Sequence, residues 1–208
     1  MTRIYLASRS PRRRELLHQI GVAFDELLTP EGDDADVDET PLALELPAAY
    51  VMRLARAKAA LGGRYVTTRG LAPHPVLAAD TTVVLAGEII GKPDDAEHAR
   101  HLLRRLAGNT HEVLTAVAVA RRDRTETALS VSTVEFRELE DAEIRDYVAT
   151  GEPLDKAGAY AIQGGAATFV RVLRGSYSGI MGLPLGATAA LLGRFGVAHV
   201  FHHVTDSE

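Results

Sequence analysis

Cysteine is absent from this 208-residue chain. That excludes disulfides, thiolate catalysis and cysteine-based zinc sites, and it suits a reducing compartment. Long apolar runs are also missing: the longest, such as residues 113–120, fall far short of the roughly 20 residues that a membrane helix requires. The opening Met-Thr-Arg-Ile-Tyr-Leu-Ala passes directly into polar residues, unlike a signal peptide. The expectation is a cytosolic protein with no membrane partner. Positive charge is in deficit, with a net charge of −5, and aromatic residues make up only 5% of the chain. Bulk electrostatic coating of nucleic acid and base stacking are both disfavoured, so no stable nucleic-acid partner is expected. A small anionic ligand needs only a local cluster of cations.

What is present is ordinary globular chemistry, 46% hydrophobic and 25% charged, enough for a sizeable core. Periodicity and turn residues predict strands over 3–7, 24–28, 76–85, 111–121, 127–136, 159–163, 168–173 and 197–201. Helices are predicted from Ser10-Pro11 to Gly21, along the stripe Val51, Leu54, Ala55, Lys58 and Ala59, from an Asp94/Glu97 capping box to Gly108, over 140–151 and over 184–195. Turns are expected at Ala86-Gly87 or Gly87-Glu88, and Arg122-Asp123-Arg124 suggests a hairpin. Hairpins interrupt the alternation of strands and helices, so the sheet should be mixed. No internal repeat or linker is evident, which leaves one domain over residues 1–208.

Several residues are placed where chemistry could use them. Arg12, Arg13 and Arg14 crowd the first turn of a helix, where the macrodipole favours acidic residues. A phosphate held by the helix N-terminus, by the Ser8 or Ser10 hydroxyl and by guanidinium forks would account for them, as would three solvated side chains. Asp80 interrupts an apolar strand. It reads either as a partly desolvated working carboxylate at or near a strand end or as a turn cap. Lys58 lies on the apolar stripe of its helix, where it serves a site or snorkels. Lys92 is held between Gly91 and Pro93, facing phosphate or solvent. The acidic segment with Glu31, Asp33, Asp34, Asp36, Asp38 and Glu39 offers hard oxygen donors for Mg²⁺ or Mn²⁺, or simply solvated charge. Residues 87–92 do not fit a P-loop, and 175–179 place Tyr177 where a nucleophile elbow needs Ser. His98 and His101 share a helix face with no third metal ligand evident.

The run Leu6-Ala7-Ser8-Arg9-Ser10-Pro11-Arg12-Arg13-Arg14-Glu15-Leu16-Leu17 resembles the opening signature of the Maf family of nucleotide pyrophosphatases. Ala79-Asp80-Thr81, Gly91-Lys92-Pro93, Asp155-Lys156-Ala157-Gly158-Ala159-Tyr160, Ile162-Gln163-Gly164, Gly175-Ser176-Tyr177-Ser178 and Gly182-Leu183-Pro184 resemble its later blocks in order. The resemblance implies an α/β fold like that of inosine-triphosphate pyrophosphatases, a long mixed sheet flanked by helices with a nucleotide cleft between two lobes, and a homodimer. It also implies release of pyrophosphate from a nucleoside triphosphate with a divalent metal. Asp80 would be the proton acceptor, with phosphate positions at Ser8, Arg12, Arg13, Lys58 and Lys92 and a functional acid at Asp38 or Glu39. Arg12, Thr81 and Gln163 resemble the branch acting on dTTP and UTP. Ala161 and Gly179 depart from common family residues beside Gln163. A nucleotide-binding role in cell division or septum formation, also associated with the family, is the alternative, although it does not require Asp80 alongside a full cationic set.

Overall fold

A computed structural model describes residues 3–27 and 37–200 of the chain. Glu31, Asp33, Asp34 and Asp36 of the acidic segment, and Phe201 of the last expected strand, lie outside the described residues. Among the described residues, seven strands form one mixed sheet: β1 (Ile4–Leu6), β2 (Phe24–Glu26), β3 (Val76–Leu85), β4 (Glu88–Ile90), β5 (Thr110–Arg121), β6 (Arg124–Phe136) and β7 (Val170–Arg174). Their order is β2-β1-β3-β5-β6-β7, with β4 paired to β3. β1 runs parallel to β2 and β3, whereas β4 on β3 and β7 on β6 are antiparallel. The helices are α1 (Pro11–Gln19), α2 (Pro47–Thr68), α3 (Ala96–Leu106), α4 (Asp141–Ala149), the short α5 (Tyr177–Ile180) and α6 (Leu185–Gly193). Among the described residues no helix is long and apolar enough to cross a membrane.

The chain divides into two compact units. One comprises Met1–Asp80, Thr115–Leu129 and Gly182–Glu208, the other Thr81–Leu114 and Ser130–Met181. In the first, α2 buries Val51, Leu54, Ala55 and Ala59 at 0–1% exposure, the face marked by the 3.6-residue period. Close approach to the sheet depends on Gly62, whose hydrogen points at the Val76 side chain, where a Cβ would sit 2.7 Å from Cγ1. In the second unit, Leu102, Leu103 and Leu106 of α3 and Ile144 and Val148 of α4 pack with Phe136, Tyr160 and Phe169. His111 belongs to this core. It is 1% exposed, its Nε2 lies 2.9 Å from the Tyr160 hydroxyl, and its ring meets Phe136 edge-on.

Four expectations are corrected. Residues 159–163 are not a strand: Gly158 at φ +71° and Ala159 at φ +57° turn the chain into short 3-10 segments. The start of α3 is capped by Asp95, whose Oδ1 accepts the His98 N–H at 2.7 Å, while Asp94 contacts the His98 ring instead. In 197–200 the expected strand is reduced to a single bridge at His199, with Val200 N–H donating to the Ile20 carbonyl. Asp80 is not near a strand end but is the fifth residue of the ten in β3. Both turns occur as two-residue hairpin connections, Ala86-Gly87 with φ of +51° and +83°, and Arg122-Asp123 with Arg122 at +52°.

Two predictions follow from the second core. A side chain at Gly158 would need a left-handed backbone and would place its Cβ 2.9–3.1 Å from Val83. Gly158→Ala should therefore lower the urea-unfolding free energy by about 2–4 kcal/mol. Burial drops the His111 pKa from 6.5 to about 4, so the folded chain keeps it neutral while the unfolded chain takes up a proton between those values. This contribution, roughly 3 kcal/mol, is fully present above the unfolded value and is lost as pH falls towards the folded one. Urea titrations from pH 7 to pH 4 should show that slope, and His111→Phe should flatten it.

Candidate active site

The site in the first unit exists because β1 is short. Its three residues pair with β3 only at Val76 and Leu77, and the Ala7 N–H makes the last bond, 2.8 Å to the Leu77 carbonyl. The chain then leaves the sheet towards α1, and β3 continues to Asp80 past the end of its neighbour. Asp80 is 8% exposed, which calls for a partner for its carboxylate. Lys58 supplies it. From the α2 face that packs into the core, Nζ donates to Asp80 Oδ1 at 2.7 Å and to Glu39 Oε1 at 2.5 Å. Burial pulls the Lys58 pKa down, but Asp80 and Glu39 more than offset this, so it lies above 10.5 and the side chain stays an ammonium.

The arginines at the start of α1 are sorted by structure. Arg13 turns inwards, with Nε donating to the Gly182 carbonyl at 2.8 Å and a terminal nitrogen to Ser8 Oγ at 3.1 Å. Ser8 Oγ also accepts the Ser10 N–H at 3.2 Å, so it closes the turn ahead of α1, and Ser10, at the cap position, makes no side-chain cap bond. Arg14 instead pairs with Glu26 of β2 at 3.0 Å. Arg12 is half-buried. Burial holds the Arg13 pKa below its ordinary value, with Asp80 and Glu39 raising it and Arg12 lowering it, so Arg13 feels all three charges. Among the described residues, Arg13 and Lys58 both interact with Asp80 and Glu39, and Arg12 with Arg13.

Of the two acids left open by the sequence, Glu39 reaches Lys58, while the Asp38 carboxylate folds back to accept the Thr40 N–H at 2.9 Å. Glu39 and Asp80 therefore converge on one point of positive charge. Both are hard oxygen donors of the kind that would hold a divalent metal. No group of three or more potential metal ligands occurs among the described residues.

Thr81, Lys92 and Gln163 belong to the second unit. Thr81 is half-buried, and Lys92 and Gln163 are exposed. The Lys92 loop is tied by the Gly158 N–H donating to the Gly91 carbonyl at 3.0 Å. The Gln163 turn is held from both sides: Ala161 N–H donates to the Tyr147 hydroxyl at 3.1 Å, and Glu152 accepts from Tyr147 at 2.7 Å and from Gly165 N–H at 3.2 Å. Sequence reasoning missed the Gly182 carbonyl, a backbone group that leaves no residue signal, and it missed Tyr50, Arg53 and Glu45 around Glu39. A charged residue next to the apolar stripe of α2 was the one available hint for Arg53.

Arg13 is a structural tie as well as a charge. Arg13→Lys keeps the charge but cannot span both oxygens, leaving the buried Gly182 carbonyl unpaired at a cost of about 1–3 kcal/mol. A lower thermal midpoint together with weaker binding of an inert triphosphate analogue is expected, the latter measured by calorimetry.

The sequence profile described as Maf-like protein matches residues 3–195. A dTTP/UTP pyrophosphatase of Aromatoleum aromaticum is 60% identical over 93% of this chain and 96% of its own length. Proteins of the same name from Dechloromonas aromatica and Nitrosomonas europaea are 57% and 53% identical, covering 93% and 94% of this chain and 98% and 95% of theirs. With the profile spanning nearly the whole sequence and these relatives covered almost end to end, the chain belongs to the Maf-like protein family.

Proposed function

We propose that this protein hydrolyses dTTP and UTP, or modified forms of them, to the nucleoside monophosphate and pyrophosphate. The observation that carries the reading is Asp80 itself: a nearly buried carboxylate on a rigid strand, held by Lys58 within electrostatic reach of Arg13. The relatives' name supplies the substrates and the bond class.

Phosphoryl chemistry needs charge neutralisation and positioning more than covalent catalysis. Arg12, Arg13 and Ser8 bind triphosphate oxygens, and the polyanion relieves the mutual repulsion of Arg12 and Arg13. The family resemblance further assigns Lys92 to phosphate binding and Thr81 and Gln163 to base choice. Asp80 orients a water and takes its proton as the α–β phosphoanhydride opens, and Lys58 holds its carboxylate in place. Glu39, rather than Asp38, is the acid that with Asp80 would hold Mg²⁺ or Mn²⁺, because Asp38 is committed to its own turn. A divalent ion held by these residues would supply neutralisation of phosphate charge. The same reading carries the homodimer and the cytosolic location that the family resemblance implies.

Asp80→Asn keeps the shape and removes the base. Its turnover of dTTP should fall by about 10² to 10⁴, the range of general-base assistance, with nucleotide binding retained. Wild-type protein given a panel of triphosphates should release pyrophosphate fastest from dTTP and UTP. Orthophosphate as the first product would sink the proposed bond cleavage, and undiminished turnover by Asp80→Asn would remove Asp80 from its role.

A further inference from the structure

The carboxylate of Glu39 lies on a segment that hydrophobic packing does not hold. Residues 38–44 are all exposed, and the three leucines that could have anchored it face solvent: Leu42 at 59%, Leu44 at 101% and Leu46 at 72% exposure. Leu44 even takes a left-handed backbone, φ +58°. A carboxylate on so exposed a segment would ordinarily sample many positions, and ordering each residue costs about 1–2 kcal/mol in backbone entropy. Yet Glu39 meets Lys58 at 2.5 Å.

The segment is held by polar contacts to one turn of α2. Arg53 lays its guanidinium fork on Glu45, with Nε to Oε1 and a terminal nitrogen to Oε2, both at 2.7 Å. Its terminal nitrogens also reach the carbonyls on either side of Glu39, Thr40 at 3.1 Å and Asp38 at 3.4 Å. Tyr50, one helical turn earlier, donates its hydroxyl to the Glu39 carbonyl at 2.9 Å, and the guanidinium lies over its ring at 5.5 Å. Glu45 in turn accepts the Leu42 N–H at 3.1 Å, and its side chain is only 8% exposed. Three successive carbonyls, 38 to 40, are thus taken by two side chains of the helix that also carries Lys58.

We infer that Arg53, with Tyr50, is a positioning residue that holds the backbone around Glu39 so that its carboxylate stays on Lys58 beside Asp80. A planar fork with several donors can do this, whereas a lysine cannot. Because the segment contributes no core packing, its release leaves the fold intact and frees Glu39. The functional consequence rests on the proposed role of Glu39 towards a divalent ion, where outer partners of ligating carboxylates are typically worth about 10- to 100-fold in affinity.

The test compares wild type with Arg53→Ala, Glu45→Gln, Glu39→Gln and the Glu39→Gln/Arg53→Ala double variant. Amide hydrogen exchange over residues 38–46 reads the clamp directly. Both Arg53→Ala and Glu45→Gln should accelerate it while the thermal midpoint moves by a few degrees at most, and unchanged exchange in both overturns the inference. Mn²⁺ affinity, read by electron paramagnetic resonance with an α,β-imido analogue of dTTP, reads the consequence. Arg53→Ala and Glu39→Gln should each weaken it by about 10- to 100-fold, and the double variant no further. Loss in Glu39→Gln without loss in Arg53→Ala overturns the positioning role. Full affinity in Glu39→Gln instead removes the metal role proposed for Glu39, and the exchange data then decide the clamp alone.

Discussion

One ammonium group ties the candidate site together. Lys58 projects from the face of α2 that packs towards the sheet, and its Nζ binds Asp80 on β3 and Glu39 on the segment before α2. Two carboxylates this close repel each other unless a cation stands between them, and Asp80 is too well buried to be left to solvent. A single charge therefore joins side chains from three pieces of chain.

Around it the site is built from parts of unequal rigidity. Asp80 lies within a long strand and Lys58 within a long helix, so both are fixed by backbone hydrogen bonding and by the buried stripe of α2. Arg13 is fixed by a fork from the Ser8 hydroxyl to the Gly182 carbonyl. Glu39 alone comes from an exposed segment, and it owes its place to the hydrogen bonds of Arg53 and Tyr50. In the proposed function, such a site combines one carboxylate on a tethered segment with Asp80 and cations on stiff elements.

Much of this was legible in residue order. The period of α2, the Ser-Pro entry to α1, the Ala86-Gly87 turn, the hairpin at Arg122-Asp123 and the mixed sheet follow from local rules that the structure obeys. Where it departs, the cause is a non-local or backbone-conformational one. The apolar look of residues 159–163 suggested a strand, but the left-handed conformations of Gly158 and Ala159 break it, and the Tyr147 and Glu152 side chains take up backbone N–H groups of Ala161 and Gly165. Adjacent aspartates at 94 and 95 are equivalent as letters. Only the backbone geometry selects Asp95 as the cap.

The sequence by itself determined the kinds of groups present and the elements that carry them: an aspartate in an apolar strand, a lysine on an apolar helix face, arginines crowding a helix start and acids in a polar segment. These are consequences of composition and periodicity, which act over a few residues. The tertiary structure decided which of those groups meet. It took Arg13 inwards and Arg14 to Glu26, chose Glu39 over Asp38 for Lys58, and exposed the edge of β3 beside Asp80 by ending β1 early. Such choices depend on desolvation and on hydrogen bonds between elements far apart in the chain, energies that come into being only when the elements pack.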